Sequence, residues 1–568
     1  MNQSLISTPA APRGAAATLR AALERSHALA CAALVVLSLL AFLPGFTGLP
    51  PMDRDEPRFA QASKQMLETH DFVAIRFQDE ARNKKPVGIY WLQSAGVVVA
   101  EALGFEAARS TIWIYRLPSL IGAVAAVLLT YWAGLVWLER RYALFAAALL
   151  SATILLGVEA RLAKTDAVLT ATVIAAMGAL ARIWSARNGR GRGSTSASFI
   201  LWLAIAIGAL IKGPITLMIV ALACLALSVK ERSSGWLRPV ADWRAIALAM
   251  VIVLPWFAAI AVETHGAFFS EAVGGDMLGK VAGAREAHGA PPGAYLAVAL
   301  VTLWPIAPLA IIAVPGVWRR RREEAVSFLL AWLVPSWILF EAVPTKLPHY
   351  VLPLYPAVAL LVALMAQGGS LDADRRWKQV ATILLPLIPI MIGLTIPFAT
   401  LLYGERADIA GASVVAIGAA LALLACLCLT RRRSLAAGAA MLSAALFLSF
   451  GAYELVVPRL QGLMLSPRLV ATLAKAPCRP QAFVTAGFNE PSLVFLTRTD
   501  LKMSDGADAA VFLSGTGCRA AFVDIRQEGE FTRKLASLGQ TLHPLGRVLG
   551  VNLNGGRHMD IGVYVNGG

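Results

Sequence analysis

Nothing constrains this chain more than its long apolar runs, because about 20 nonpolar residues are what a helix needs to cross roughly 30 Å of hydrocarbon. Such runs are centred near residues 37, 125, 150, 175, 204, 221, 253, 304, 332, 358, 390, 419 and 446. They predict a multi-span α-helical membrane protein of about thirteen transmembrane helices. The fifth and sixth, Phe199–Ile211 and Pro214–Val229, are short and separated only by Lys212-Gly213. Composition agrees: 15% of the 568 residues are charged and 57% hydrophobic, against roughly 25% charged in soluble domains. The first run begins near Ala28, is too long for a signal-peptide core and lacks a small-residue cleavage site, so it reads as a retained helix.

The net charge of +16 raises the question of a nucleic-acid partner. The arginines instead lie in short clusters between apolar runs, and no basic stripe carries interleaved aromatics, so none is expected. Arg13, Arg20 and Arg25 precede the first run, and every later cluster, from Glu139-Arg140-Arg141 to Arg431–Arg433, follows an even-numbered one. Cytoplasmic loops hold the Lys and Arg excess. The expected arrangement is a cytoplasmic N-terminus over residues 1–27, a membrane domain over 28–457 with a first outer loop at about 49–109, and an outer domain over 458–568.

In that last domain hydropathy falls. "QAFVTAG", "SLVFLT", "AAVFLS" and "AAFVDI" read as short β-rich runs. "EGEFTRKLASLG" has helical spacing with a glycine stop, and the final stretch reads as a hairpin turning at Asn554-Gly555-Gly556. A soluble α/β domain follows. Of six cysteines, Cys31, Cys224, Cys426 and Cys428 lie within apolar runs as small nonpolar groups. Cys478 and Cys518 share the outer domain, where an oxidising compartment permits a bridge.

The outer connections carry ionisable residues that run against the orientation signal. The first holds "DRDEPRFA", with Asp53, Arg54, Asp55, Glu56 and Arg58, and "NKKPVGIYWLQ", with Lys84 and Lys85. "EARLAKTDAVL" places Arg161, Lys164 and Asp166 between the third and fourth spans, and "IKGP" puts Lys212 at a tight turn. His265, Arg285, His288 and Tyr295 follow the seventh span; "PTKLPHYVLPLYP" carries Lys346, His349, Tyr350 and Tyr355. Ionisable groups at membrane level tend to be functional, and Lys and Arg bind phosphate oxygens through charge-assisted hydrogen bonds. Several loops converging on a phosphate-bearing lipid substrate is the chemistry this pattern suits. Simpler roles exist for each group: Asp55 as the N-cap of "PRFAQASKQML", Asp166 as a cap of the fourth span, Lys212 snorkelling from a helix end, Lys84 and Lys85 as solvated loop charges, and Lys346, His349 and Tyr350 as an interfacial belt.

The same motifs, "DRDEPRFA", "NKKPVGIYWLQ", "KGP" and "TKLPHYVLPLYPA", resemble those of the bacterial 4-amino-4-deoxy-L-arabinose (lipid A) transferases. These belong to the polyprenyl-phosphate-dependent membrane glycosyltransferases related to protein O-mannosyltransferases. The resemblance runs from Pro50 to about Gln367. It implies an inner-membrane pentosyltransferase, N-terminus cytoplasmic and C-terminal domain periplasmic, that moves aminoarabinose from undecaprenyl phosphate to lipid A with inversion, as a monomer. The alternatives are a related polyprenyl-phosphate-sugar transferase acting on a protein or oligosaccharide and, outside enzymes, a lipid or ion transporter, which would place polar groups mid-span or show inverted repeats. By the same resemblance Asp55 and Asp166 are the catalytic acids, and Arg58, Lys85 and Tyr350 bind the donor phosphate. Lys84, Arg161, Lys164, Lys212, Lys346 and His349 are substrate-binding candidates. A divalent metal stays an open question, with Glu56, His265 and His288 as candidate ligands that no spacing fixes.

Overall fold

The structure is a computed structural model describing residues 21–567 apart from 53–54, 188–194, 279–288, 370, 372–374, 405–407 and 432–433. The described residues contain nine helices long and apolar enough to cross a membrane, or ten if a bent pair counts as one span. The apolar runs near residues 37 and 304 form shorter helices, His27–Phe42 and Ile306–Arg319. The centre near 304 falls on a break after Ala294–Thr302, where Pro305 has no N–H to continue the ladder. The short fifth and sixth runs are two separate helices, Thr195–Lys212 and Ile215–Glu231. They part at Gly213, whose φ of +64° is one that glycine adopts without cost.

One helix departs from a straight span. Arg140–Ser151 and Ile154–Ala160 meet at 64°. At the break the Ser151 and Thr153 hydroxyls donate to the carbonyls of Ala148 and Leu150, a local bond that competes with helix continuation. The bend lets the second segment end inside the bundle, carrying Glu159 with it. Behind it, Ile112–Gly134 and Asp166–Ala186 pack backbone to backbone. A Cβ at Gly122 would come within 2.8 Å of Val168 main-chain atoms, so only glycine permits this approach.

The Asp55–Thr69 helix is different in kind. It is short and polar, yet Glu56, Gln61, Ser63, Lys64 and Gln65 on it are buried. It lies under the C-terminal domain, and the first loop beside it carries a two-stranded hairpin, β1 Arg76–Phe77 and β2 Glu80–Ala81. The domain's strands are β3 Ala482–Ala486, β4 Lys502–Ser504, β5 Arg519–Asp524, β6 Gly546–Asn552 and β7 Arg557–Val565, in one sheet of order β4-β3-β5-β7-β6. Strand β3 pairs parallel with β4 and β5; β7 pairs antiparallel with β5 and β6. "QAFVTAG" and "AAFVDI" are the strands expected, and the closing hairpin turns at Gly555 and Gly556, both with positive φ. "SLVFLT" and "AAVFLS" are instead helices, Pro491–Leu496 and Gly506–Leu513. Their local signals are Pro491 in the first turn and Asp505, whose carboxylate caps Asp508 N.

Cys478 and Cys518 are bonded, with Cα atoms 6.2 Å apart and 40 positions between them in sequence. A loop of that length implies about 2–4 kcal/mol of stabilisation. Replacing both cysteines by serine is therefore expected to lower the sheet domain's unfolding free energy by that amount, read as a fall in denaturant midpoint by its far-ultraviolet signal. An unchanged midpoint would show the bridge to be thermodynamically idle.

Candidate active site

The site is framed by a buried ion pair that sequence reasoning missed. Arg116, in the second turn of Ile112–Gly134, is fully buried and faces Glu56, with Nε–Oε1 2.7 Å and Nη2–Oε2 3.0 Å. Its remaining donors reach the carbonyls of Phe46, Leu49 and Pro50. Glu56 also accepts from Met52 N at 2.6 Å and Ala163 N at 3.0 Å. Four N–H groups thus occupy the carboxylate, so Glu56, a metal candidate from sequence, braces the structure instead. The signal for Arg116 was present: an arginine inside an apolar run is costly and implies a partner.

Through Glu56 the N-terminus of the Asp55–Thr69 helix is fastened to the turn that precedes Asp166. Ala163 is held from both sides, its N–H by Glu56 and its carbonyl by Gln93 Nε2 at 3.1 Å. Asp55 is the helix's first residue, half-buried. Burial pushes the Tyr90 phenol above its ordinary value; Arg82, whose Nε lies 3.4 Å from the phenol oxygen, opposes this, and Asp55 adds to it. Asp55 thus acts on the Tyr90 phenol, while its neighbour Glu56 holds the Asp166 turn.

Past that turn the second carboxylate cluster assembles. Asp166 accepts a hydrogen bond from Lys212, and Lys164 Nζ lies 3.5 Å from Glu159 Oε1. The His349 imidazole stands between the acids, Nδ1 3.7 Å from Glu159 and Nε2 3.9 Å from Asp166. Lys212 lies over the Tyr350 ring at 5.2 Å, and the His349 and Tyr350 rings meet edge-on at 5.1 Å. Lys85 is near enough to His349 to act on its charge. Residues from four connections thus converge: Lys85, Glu159 with Lys164 and Asp166, Lys212, and His349 with Tyr350.

Glu159 was not singled out from sequence, although a carboxylate within "ILLGVEA" is a clear exception to an apolar text. With Asp166 and His349 it forms the one group among the described residues whose metal-binding atoms lie within 4.8 Å of one another. Lys164 and Lys212 pair with the two carboxylates, and Lys85 adds a third cation to the group.

The other candidates are placed elsewhere. Arg161 turns away and donates to the carbonyls of Pro44, Gly157 and Ala41 and to the Ser449 hydroxyl, with Tyr453 stacked on it. Lys346 is bonded to the carbonyls of Ala290 and Val343, which ties two loops together. His265 is exposed at a helix end and has no part in the cluster; His288 and Arg285 lie outside the described residues. Arg58 and Lys84 line a cavity of about 1510 Å³ between the first loop and the sheet domain, with Arg82, Arg498, Lys502 and Arg519 also on its walls.

This geometry can be set beside known proteins. Residues 84–258 match the sequence profile of the dolichyl-phosphate-mannose-protein mannosyltransferases. An undecaprenyl phosphate-alpha-4-amino-4-deoxy-L-arabinose arabinosyl transferase of Erwinia tasmaniensis is 28% identical over 316 residues, covering 54% of each chain. The protein of the same description from Yersinia pestis is 25% identical over 361 residues, covering 62% of this chain and 63% of its own. The aligned part thus spans about half to under two thirds of these relatives. In fold the likeness is nearly complete. The crystal structure of ArnT from Cupriavidus metallidurans in the apo state superposes with a TM-score of 0.71 over 97% of this chain and 98% of that one, at 17% identity. The form bound to undecaprenyl phosphate gives 0.69, also at 17% identity.

The chain has the fold of the aminoarabinose transferases. The matched profile, residues 84–258, takes in Lys85, Asp166 and Lys212, three of the charged groups that converge.

Proposed function

We propose that this protein is an inner-membrane glycosyltransferase that moves 4-amino-4-deoxy-L-arabinose from undecaprenyl phosphate to the phosphates of lipid A. The observation that carries the reading is the convergence of Lys85, Lys164, Lys212, His349 and Tyr350 around Asp166 and Glu159 at helix ends. Polyprenyl-phosphate chemistry needs such a site: a concentrated positive field at lipid level, with carboxylates beside it.

The reaction needs little proton transfer. A lipid A phosphate oxygen, ionised at neutral pH, attacks the anomeric carbon of the sugar. The bond from that carbon to the undecaprenyl phosphate oxygen breaks, and its electron pair leaves on the phosphate. A single displacement inverts the carbon. The enzyme's tasks are positioning and electrostatic stabilisation. Lys85 stabilises the departing phosphate and Tyr350 donates to it, Arg58 holds donor phosphate charge from the cavity that Lys84 also lines, and Asp55 balances the positive charge that builds on the sugar. Asp166 orients Lys212 and His349 against the same centre. The active form in this reading is a monomer. Masking lipid A phosphate with an amino sugar gives resistance to polymyxin and other cationic peptides.

Mass spectrometry of lipid A from cells with and without the protein tests the reading: the aminoarabinose mass addition should appear only with it. Purified enzyme that modifies a peptide or oligosaccharide and leaves lipid A untouched would move it to a related transferase, the reading favoured by the mannosyltransferase profile. In the same assay, Arg58→Ala and Lys85→Ala should each slow transfer about 100-fold, the scale of a lost transition-state contact, at unchanged membrane level. Orientation is tested by fusion. A reporter active only outside the cytoplasm should work after Gly568 and fail after Arg433; the reverse would mean that the span count is off by one.

A further inference from the structure

The helix that begins at Asp55 is anchored at its other end by the sheet domain, and the contacts are specific. Gln61 Nε2 donates to Thr499 Oγ1 at 2.7 Å, and that hydroxyl donates onward to Glu68 Oε2 at 2.6 Å. Gln78 Nε2 donates to the carbonyls of Thr499 at 2.9 Å and Leu501 at 2.7 Å. Lys64 Nζ reaches the Phe495 carbonyl at 3.2 Å. Phe495 is itself fully buried, edge-on to Tyr115 at 5.3 Å and in one apolar cluster with Ala60 and Leu67. Gln78 holds a left-handed φ of +56° and is fixed there by reciprocal bonds with Gln65. A non-glycine residue kept in that conformation marks a place where the surroundings dictate the backbone.

Residues 55, 58, 61, 65 and 68 follow one stripe of a helix of 3.6 residues per turn. Two candidate catalytic groups, Asp55 and Arg58, stand at the start of this stripe, and the residues that grip the sheet domain stand further along it. Rotating the helix about its axis moves both sets together. We infer that Thr499 is a positioning residue for the transfer reaction, fixing from the sheet domain the rotation of the helix that presents Asp55 and Arg58. This rests on the proposed function, and it gives the C-terminal domain a direct part in turnover.

The test uses the full-length protein in detergent with undecaprenyl phosphate-linked aminoarabinose and lipid A. Thr499→Val keeps the side-chain shape and removes both hydroxyl bonds. It should lower kcat at least tenfold with the donor KM within about twofold, because misplacement by a fraction of an ångström is felt in the transition state first. Amide hydrogen exchange over residues 55–68 should be faster while that of β5 is unchanged. Thr499→Ser, which restores both bonds, should recover rate and protection. Wild-type kcat in Thr499→Val overturns the inference, as does a loss that Thr499→Ser fails to rescue or that follows a general rise in exchange. If the unsubstituted protein transfers no aminoarabinose, the function reading fails. The exchange comparison then decides alone whether Thr499 sets this helix.

Discussion

The Asp55→Asn protein should fold, reach the membrane at the normal level and transfer sugar at least about 1000-fold more slowly, the upper range for a lost electrostatic contact. Asparagine matches aspartate in shape and is tolerated equally at a helix start, so Asp55–Thr69 survives from its first residue and only the charge goes. The neighbouring bracket is untouched, since Glu56 and not Asp55 holds Arg116 and Ala163. Asp53→Asn, at a position outside the described residues, should be tolerated. The measurement is lipid A modification in a strain lacking its own transferase, with protein level read by immunoblot. Normal modification by Asp55→Asn at equal level would return this carboxylate to a capping role.

The second large effect is on stability. Arg116→Met strips a fully buried carboxylate of the arginine paired with it and leaves the carbonyls of Phe46, Leu49 and Pro50 without these donors. Breaking one side of a buried pair typically costs about 3–5 kcal/mol. A loss of that size should appear as a large fall in melting temperature in detergent and in membrane level. Adding Glu56→Gln should recover part of it, because the carboxylate charge is then gone. A double variant less stable than Arg116→Met alone would mean that the pair's charge was not the stabilising element.

Much of this was legible beforehand for one reason: lipid forces the text. Spans show as apolar runs, and exceptions such as Asp166 and Lys212 show as charges at their ends. The disulfide and the closing hairpin followed from compartment and turn chemistry. The misread segments are instructive. Apolar runs of six residues such as "SLVFLT" carry no period that separates strand from helix, and the deciding bonds, such as the Asp505 cap, are local. Arg161 and Lys164 look alike in "EARLAKTDAVL", yet one props a helix bend and the other faces Glu159. That choice depends on where the chain breaks, and the 64° bend is marked in the text only by two small hydroxyl residues, Ser151 and Thr153.

The clamp on the Ala163 peptide has a consequence for engineering and for descent. Because Glu56 grips one side of that peptide and Gln93 the other, the first loop and the turn before Asp166 behave as a single machined part, although sequence separates them widely. A chimaera that imports a relative's first loop to change sugar preference should misalign its two acids unless the 161–166 turn travels with it. Drift in either segment is likewise legal only in step with the other. Substrate range in this scaffold would then shift by exchange of matched pairs, not by the wandering of one loop.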